Sequence, residues 1–147
     1  MALLSPADQE KLKEAFAGMT RPARVLFFTQ TIGCEKCAQT RQILDELPPL
    51  SDKITIEEVN VVLDKEKAAA YGFDRAPALV LLGQEPSGEW RDSRIRFLGA
   101  PSGYEFVSLV QAVLLVGGRE PSLTAENRQR LAAIDKPIAM QVFTTPT

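Results

Sequence analysis

The sequence predicts an α/β fold in which a mixed β-sheet lies between layers of helices. Short apolar runs typical of buried strands alternate with segments whose apolar residues recur at helical spacing. The last two runs follow one another across a polar turn, which indicates a hairpin before a further helix. The chain has 147 residues, of which 45% are hydrophobic and 24% charged, and these values are typical of one globular domain.

Helix boundaries carry clear local signals. Ser5 and Pro6 supply a cap and a first-turn proline for the first helix, and Asp64 caps a short helix that Gly72 ends. The predicted helices cover residues 6–20, 34–47, 64–71, 102–116 and 124–134.

The predicted strands cover residues 24–30, 54–62, 78–82 and 95–98, with an extra one at 138–143. The run at 78–82 is apolar on both faces and is expected at the centre of the sheet. Val59, Val61 and Val62 are expected to form the buried end of the second strand.

The composition excludes several kinds of chemistry. The chain has no histidine and only two cysteines, so a Cys-His nucleophile pair is excluded and no metal is expected. The formal net charge is −2, with both signs scattered, which argues against binding to nucleic acid or to a membrane surface. The N-terminus has no basic start followed by an apolar run, so a cytoplasmic location is expected.

The two cysteines, Cys34 and Cys37, form a C-x-x-C motif at the junction of a predicted strand and helix. The exposed amides and the dipole at a helix start stabilise a thiolate, which is the attacking species in disulfide exchange. We therefore expect Cys34 at the helix start to be the attacking thiol and Cys37, one turn in, to be the resolving thiol. Between them, Lys36 favours the thiolate and Glu35 opposes it, so both are candidates for tuning its reactivity. The alternative is half of a zinc knuckle or a chance pair.

The second candidate element is the Ala76-Pro77 pair, which lies just before the third predicted strand. A cis bond there would leave the backbone of residue 76 exposed beside the cysteines, where an extended substrate could pair with it. An ordinary trans proline that starts a strand is the alternative. Together with Cys34 and Cys37, the cis form is favoured, and Ala76 and Pro77 are candidate substrate-binding residues.

The sequence resembles the thioredoxin superfamily in the stretch 71–79, Tyr-Gly-Phe-Asp-Arg-Ala-Pro-Ala-Leu, and in the distance from Cys34 to Pro77. It is most similar to the first unit of the glutaredoxin-like protein disulfide oxidoreductases, which carry two thioredoxin-fold units in tandem. Residues 96–106 look like the hairpin strand and helix entry of that unit. Residues 123–147 look like the helix between the units and the opening strand of the second unit.

This resemblance implies a thioredoxin-like fold: a mixed four-stranded sheet flanked by helices, with an N-terminal helix and a C-terminal linker helix plus an extra strand. Residues 1–118 would be the domain, and residues 119–147 the linker helix and first strand of a truncated second unit. The implied activity is protein dithiol–disulfide exchange, which reduces or isomerises disulfides with Cys34 and Cys37 as the redox pair. No cofactor is expected beyond this disulfide. The expected partners are protein disulfides and a thioredoxin-reductase-like flavoprotein.

The sequence departs from thioredoxins around the motif. Ile32 and Gly33 precede the first cysteine, where thioredoxins have tryptophan and glycine. Phe28 stands where thioredoxins carry a buried acid that helps to deprotonate the resolving thiol. Glu58 or Glu57 on the second strand could replace that acid, but adjacent residues face opposite sides of a strand, so a solvated charge is the alternative for either.

Two other functions stay open. One is a redox-inert interaction module with the same fold, and the other is a glutathione-dependent glutaredoxin, which could also hold an iron–sulfur cluster across a dimer. Outside the motif, Trp90 is expected to pack on the hairpin, and Arg91, Arg94 and Arg96 are expected to form a solvated face.

Overall fold

The computed structural model describes residues 2–145 and forms a four-stranded mixed sheet with helices on both faces. The described residues do not include Met1, Pro146 and Thr147. The sequence assigns these three residues to the ends of the two predicted domains. The helices are α1 (Pro6–Ala17), α2 (Glu35–Asp45), α3 (Lys65–Ala70), α4 (Tyr104–Val116) and α5 (Ala125–Ala132). The strands are β1 (Ala23–Thr29), β2 (Ile54–Asn60), β3 (Ala78–Gln84) and β4 (Trp90–Leu98).

The strand order across the sheet is β2-β1-β3-β4. β1 and β2 are parallel, with Thr29 opposite Asn60, and β3 runs antiparallel to both of its neighbours. As a result, the C-terminal ends of β1, β2 and β4 and the N-terminal end of β3 lie at the same edge of the sheet. This confirms the mixed four-stranded sheet that the sequence predicts, with the hairpin at β3 and β4.

Each face of the sheet carries its own apolar core. β1 alternates between them: Val25 and Phe27 face the larger core, and Leu26 and Phe28 face the smaller one. The larger core contains buried side chains from α1, α2 and α4, and the smaller core is covered by α3 together with Tyr71, Phe73 and Trp90. The larger core therefore holds α2, and with it the motif, against the sheet.

The two helix caps that the sequence predicts, Ser5 and Asp64, both form. The Ser5 hydroxyl accepts a hydrogen bond from the Asp8 amide, and the Asp64 carboxylate accepts one from the Lys67 amide. Thr124 caps α5 through the Asn127 amide in the same way.

The end of β2 differs from the prediction. Val59 is buried and Val61 packs on the smaller core, but Val62 is exposed. The strand ends at Asn60 because β1, its only neighbour, ends opposite that residue at Thr29. Beyond this point the chain turns away from the sheet, and Val62 loses the cover of the core.

β4 begins at Trp90, five residues before the predicted start. Trp90 pairs with Gln84 across the hairpin, packs on the smaller core, and has the Arg24 guanidinium 4.1 Å above its ring. The expected solvated face of arginines is wrong for Arg96. Its guanidinium lies over the rings of Tyr71 and Phe73. It also donates hydrogen bonds to both carboxylate oxygens of Asp92, and these bonds lower the pKa of the Asp92 carboxyl.

The predicted extra strand at 138–143 is wrong: residues 135–145 contain neither helix nor strand. Strand hydrogen bonds need a neighbouring strand, and this exposed segment pairs with none among residues 2–145. The linker helix does form as α5, although it buries no residue. The division into a domain at 1–118 and a second unit from 119 stays a prediction.

No helix in residues 2–145 combines the length and the apolar character that crossing a bilayer requires.

Leu109 tests the packing of α4 on the larger core. Its side chain is fully buried, so Leu109→Ala should lower the free energy of unfolding by about 2–5 kcal/mol. Val107 on the same helix is exposed, and Val107→Ala should change that free energy by less than about 0.5 kcal/mol. Urea unfolding of both variants measures the difference, and equal values would show that α4 is not docked as described.

Candidate active site

The motif lies where β1 passes into α2. Cys34 is the residue that caps α2, and Cys37 lies in its first turn. The two sulfurs form a disulfide that joins Cα atoms 5.4 Å apart. The bond thus closes one turn of helix, at the edge of the sheet where β1 and β2 end and β3 begins.

The start of α2 favours a negative charge. Cys34 occupies the cap position with no side-chain cap hydrogen bond, so its sulfur rather than an oxygen stands at the helix N-terminus. The unpaired amides of the first turn and the helix dipole stabilise an anion there. When the disulfide is reduced, this position favours the thiolate form of Cys34.

The two cysteines differ in burial. Cys37 is 5% exposed and belongs to the larger core, where α2 meets the sheet. Cys34 is only partly buried and lies at the margin of that core. A partner can therefore reach the sulfur of Cys34, whereas access to Cys37 is restricted.

Two hydrogen bonds and one glycine shape the loop and the first turn. The Gln30 side-chain amide donates to the Ile32 carbonyl at 2.9 Å, which closes the loop before the motif. Gly33 has a φ of +75°, a conformation that glycine adopts without penalty. The buried Thr40 hydroxyl donates to the Lys36 carbonyl at 2.8 Å, inside the motif.

The two residues between the cysteines project into solvent. Lys36 lies 3.3 Å from the Gln39 amide oxygen, and both Lys36 and Glu35 are exposed. Water screens such charges, so their influence on the Cys34 thiol is modest. Their role in tuning the motif stays a prediction.

The Ala76–Pro77 peptide bond is cis. Ala76 packs at the margin of the larger core, as Cys34 does, and Pro77 is buried. The Pro77 carbonyl accepts a hydrogen bond from the Gly99 amide at 3.0 Å, but within residues 2–145 the backbone of Ala76 makes none. The backbone of Ala76 is therefore available to an extended chain.

The two candidate acids on β2 face opposite sides of the sheet. Glu57 forms ion pairs with Arg24 and Lys67 on the side of the smaller core, away from Cys37. Glu58 lies on the same face as Ile54 and Ile56, towards α2, but its half-exposed carboxylate pairs with Arg41. This arrangement excludes Glu57 from direct contact with Cys37, and the role of Glu58 stays a prediction.

The position of Phe28 explains a further departure from thioredoxins. Its ring packs against Tyr71 and Phe73 in the smaller core, with ring centroids 5.7 and 4.9 Å away. The buried polar side chains between residues 2 and 145 are Thr29 and Thr40, so no buried carboxylate lies beneath Cys37 in this part of the chain. At the sequence position where thioredoxins have a buried acid, this chain thus has Phe28, whose ring is part of an aromatic cluster.

Sequence reasoning missed the polar residues that hold the loops around the disulfide, namely Gln30, Thr40 and Asn60. Their bonds reach backbone groups only two to four residues away. The one available signal was an asparagine near the end of a predicted strand, where this residue type favours Asx turns.

The fold and the site together define a protein that exchanges dithiol and disulfide states. No family model matches the chain. It is 31% identical over 78 residues to a curated protein named "Probable Thioredoxin" from Methanothermobacter thermautotrophicus, covering 52% of this chain and 80% of that protein. The chain belongs to the thioredoxin family, and its C-x-x-C pair makes it a dithiol–disulfide oxidoreductase.

Two solved structures are similar over more of the chain. The NTD_N/C domain of the alkylhydroperoxide reductase AhpF from Enterococcus faecalis is 31% identical, with a TM-score of 0.77, and matches 90% of this chain and 62% of that one. A protein disulfide oxidoreductase from Aeropyrum pernix matches 88% of this chain and 54% of that one, with a TM-score of 0.72. At 23% identity, the second likeness shows the shared fold. This chain thus spans little more than half the length of either structure.

The difference in burial predicts the order of alkylation. In the reduced protein, iodoacetamide should modify Cys34 at least about tenfold faster than Cys37, because only Cys34 combines access with a helix N-terminus. Quenched time points analysed by peptide mass spectrometry give both rates. The protein unfolded in urea is the control, in which the two rates should converge. Equal rates in the native protein would contradict the assigned geometry.

Proposed function

We propose that the chain reduces disulfides of other proteins, with Cys34 as the attacking thiol and Cys37 as the resolving thiol. In the reduced enzyme, the Cys34 thiolate attacks one sulfur of a substrate disulfide, forms a mixed disulfide and releases the other substrate sulfur as a thiolate. The Cys37 thiolate then attacks the sulfur of Cys34 and releases the second substrate thiol. Two electrons pass to the substrate, and the Cys34–Cys37 disulfide of this structure is the oxidised product.

The observation that supports this proposal most strongly is the disulfide at the N-terminus of α2, with one sulfur accessible and the other in the core. An accessible thiol forms the bond with a bulky substrate. A buried neighbour within bonding distance resolves that bond before a second substrate can. The asymmetry therefore fits a two-step exchange.

Exposed apolar side chains around the disulfide support a protein as the substrate. Leu63 is 84% exposed, Ile32 87%, Leu98 66% and Val62 56%. All four follow or end strands at the edge of the sheet that carries Cys34, and we call them the active-site rim. Exposed apolar surface of this kind marks a contact with another molecule. The free backbone of Ala76 completes the surface, with Pro77 holding it in place.

The oxidised pair must regain two electrons for each turnover, and we propose a thioredoxin-reductase-like flavoprotein as their source. The likeness to a domain of AhpF, an alkylhydroperoxide reductase, supports a place in such an electron-transfer chain. We propose a cytoplasmic location as well, because cytoplasmic thiols are kept reduced and a close cysteine pair there is typically catalytic. The disulfide itself would be the only redox group.

Residues 119–147 support a further proposal, that this segment belongs to a second thioredoxin-like unit. Seven large apolar side chains between residues 119 and 145 are exposed: Leu123, Leu131, Ile134, Ile138, Met140, Val142 and Phe143. An unpaired apolar segment of this length needs a partner surface. The E. faecalis structure, of which this chain covers 62%, includes further chain that could supply one in a longer protein.

Two serine variants test the roles of the cysteines. Cys34→Ser should abolish the acceleration of insulin reduction by dithiothreitol and leave only the uncatalysed rate, since no attacking thiol is left. Cys37→Ser should accumulate a mixed disulfide with the substrate, visible on a non-reducing gel and lost on reduction. A Cys37→Ser variant that turns over at the wild-type rate would show that Cys37 is not the resolving thiol. A wild-type protein that fails to reduce insulin would contradict the proposed function as a whole.

A further inference from the structure

Asn60 is the last residue of β2, and it binds three successive amides of the loop that follows. Its side-chain oxygen accepts hydrogen bonds from the Val62 amide at 2.9 Å and the Leu63 amide at 3.2 Å. Its backbone carbonyl accepts one from the Asp64 amide at 2.8 Å. One residue thus fixes the course of the loop from β2 to the cap of α3.

The loop is also attached to the strand that leads to the disulfide. Asn60 lies opposite Thr29, the last residue of β1. The Val61 amide donates to the Thr29 carbonyl at 2.9 Å, so the two strand ends are joined directly before their loops diverge. Neighbouring strands lie about 5 Å apart, so the loop that follows Asn60 leaves the same edge of the sheet as the loop that carries Cys34, although the two lead to helices on opposite faces.

The residues that Asn60 fixes are apolar and exposed. The Val62 and Leu63 side chains are 56% and 84% exposed, although packing them into a core would be favourable. In a free loop they could turn inwards or adopt many conformations. Holding their amides restricts the loop to one conformation, in which both side chains face solvent at the edge of the sheet that carries Cys34.

Preorganisation of this kind favours binding. A surface that is already ordered loses less conformational entropy when a partner docks. An ordered apolar pair at the same edge of the sheet as a reactive disulfide suits apolar residues that flank the disulfide of a protein substrate. It would contribute nothing to a small disulfide that reaches Cys34 alone.

We propose that Asn60 is a positioning residue, which holds Val62 and Leu63 as a preformed contact for the apolar residues that flank a protein disulfide. This inference rests on the proposed function. Asn60 touches neither sulfur and acts only through the loop. Its effect therefore falls on the binding of protein substrates and not on the chemistry of exchange.

The test compares Asn60→Ala with Asn60→Asp, which keeps an oxygen acceptor for both amides. Asn60→Ala should raise the KM for insulin about three- to tenfold, the effect of losing one or two such hydrogen bonds, with kcat within about twofold. Asn60→Asp should restore KM to within about twofold of the wild-type value. Leu63→Ser, which removes the contact itself, should raise KM in the same way.

A matched control is available at the opposite edge of the sheet. The Ser87 hydroxyl accepts a hydrogen bond from the Glu89 amide in the turn between β3 and β4. Ser87→Ala removes a bond of the same kind and should leave the KM for insulin unchanged. The small disulfide 5,5′-dithiobis(2-nitrobenzoic acid) is the second substrate. It is mixed with the pre-reduced protein without dithiothreitol, so that the two electrons come from Cys34 and Cys37, and only the protein substrate should show the Asn60→Ala defect.

Three results would overturn the inference. The first is an unchanged KM in Asn60→Ala or Leu63→Ser while the wild type reduces insulin, which leaves the proposed function intact. The second is an Asn60→Ala variant that loses the same fraction of its activity on insulin and on the small disulfide, which would assign Asn60 a purely structural role. The third is a wild-type protein that reduces the small disulfide but not insulin, which would remove the proposed function together with the inference.

Discussion

The structure depends on one covalent constraint, the closure of the first turn of α2 by the Cys34–Cys37 disulfide. Cys34 caps the helix at the margin of the larger core, and Cys37 lies inside that core. The same turn thus places one sulfur at a helix N-terminus that favours an anion and the other in an apolar environment that restricts access. The helix and the sheet beneath it thus hold the disulfide at a fixed place in the fold.

The topology of the sheet gathers the rest of the site. β1 and β2 are parallel and β3 is antiparallel to both, so four loops or strand ends from separate parts of the sequence meet at one edge. Three of these loops or strand ends carry the active-site rim residues Ile32, Val62, Leu63 and Leu98. The fourth carries Ala76. Side-chain bonds from Gln30 and Asn60 hold two of the loops. The fold and the proposed substrate surface therefore have a common origin in the strand order.

The chain departs from other thioredoxins at Phe28, which stands where they carry a buried acid. Phe28 belongs to an aromatic cluster on the far side of the sheet, and Glu57 lies on that side as well. Glu58 faces α2 but is half-exposed and paired with Arg41, which offsets its charge. In the proposed exchange, solvent or the thiolate released from the substrate would accept the proton of Cys37 in place of a buried acid.

The sequence was sufficient to predict the elements that depend on local signals. Capping residues correctly predicted the starts of two helices, at Ser5 and Asp64. The apolar pattern correctly predicted the central strand at 78–82 and the motif at a strand–helix junction. Features that depend on neighbours could not be predicted. β2 stops at Asn60 because β1 stops opposite it, and Arg96 is covered by aromatic rings from a distant segment. Residues 138–143 have the composition of a strand, but no neighbouring strand pairs with them.

The central claim is that Cys34 and Cys37 form one reversible redox pair in the folded protein. Equilibrating the full chain with buffers of reduced and oxidised dithiothreitol, and counting the free thiols after an acid quench, tests it most directly. The account predicts that both thiols appear together in a single two-electron transition, identical from the reduced and the oxidised starting states. Thiols that appear one at a time, or a disulfide that reacts only after the protein unfolds, would contradict it.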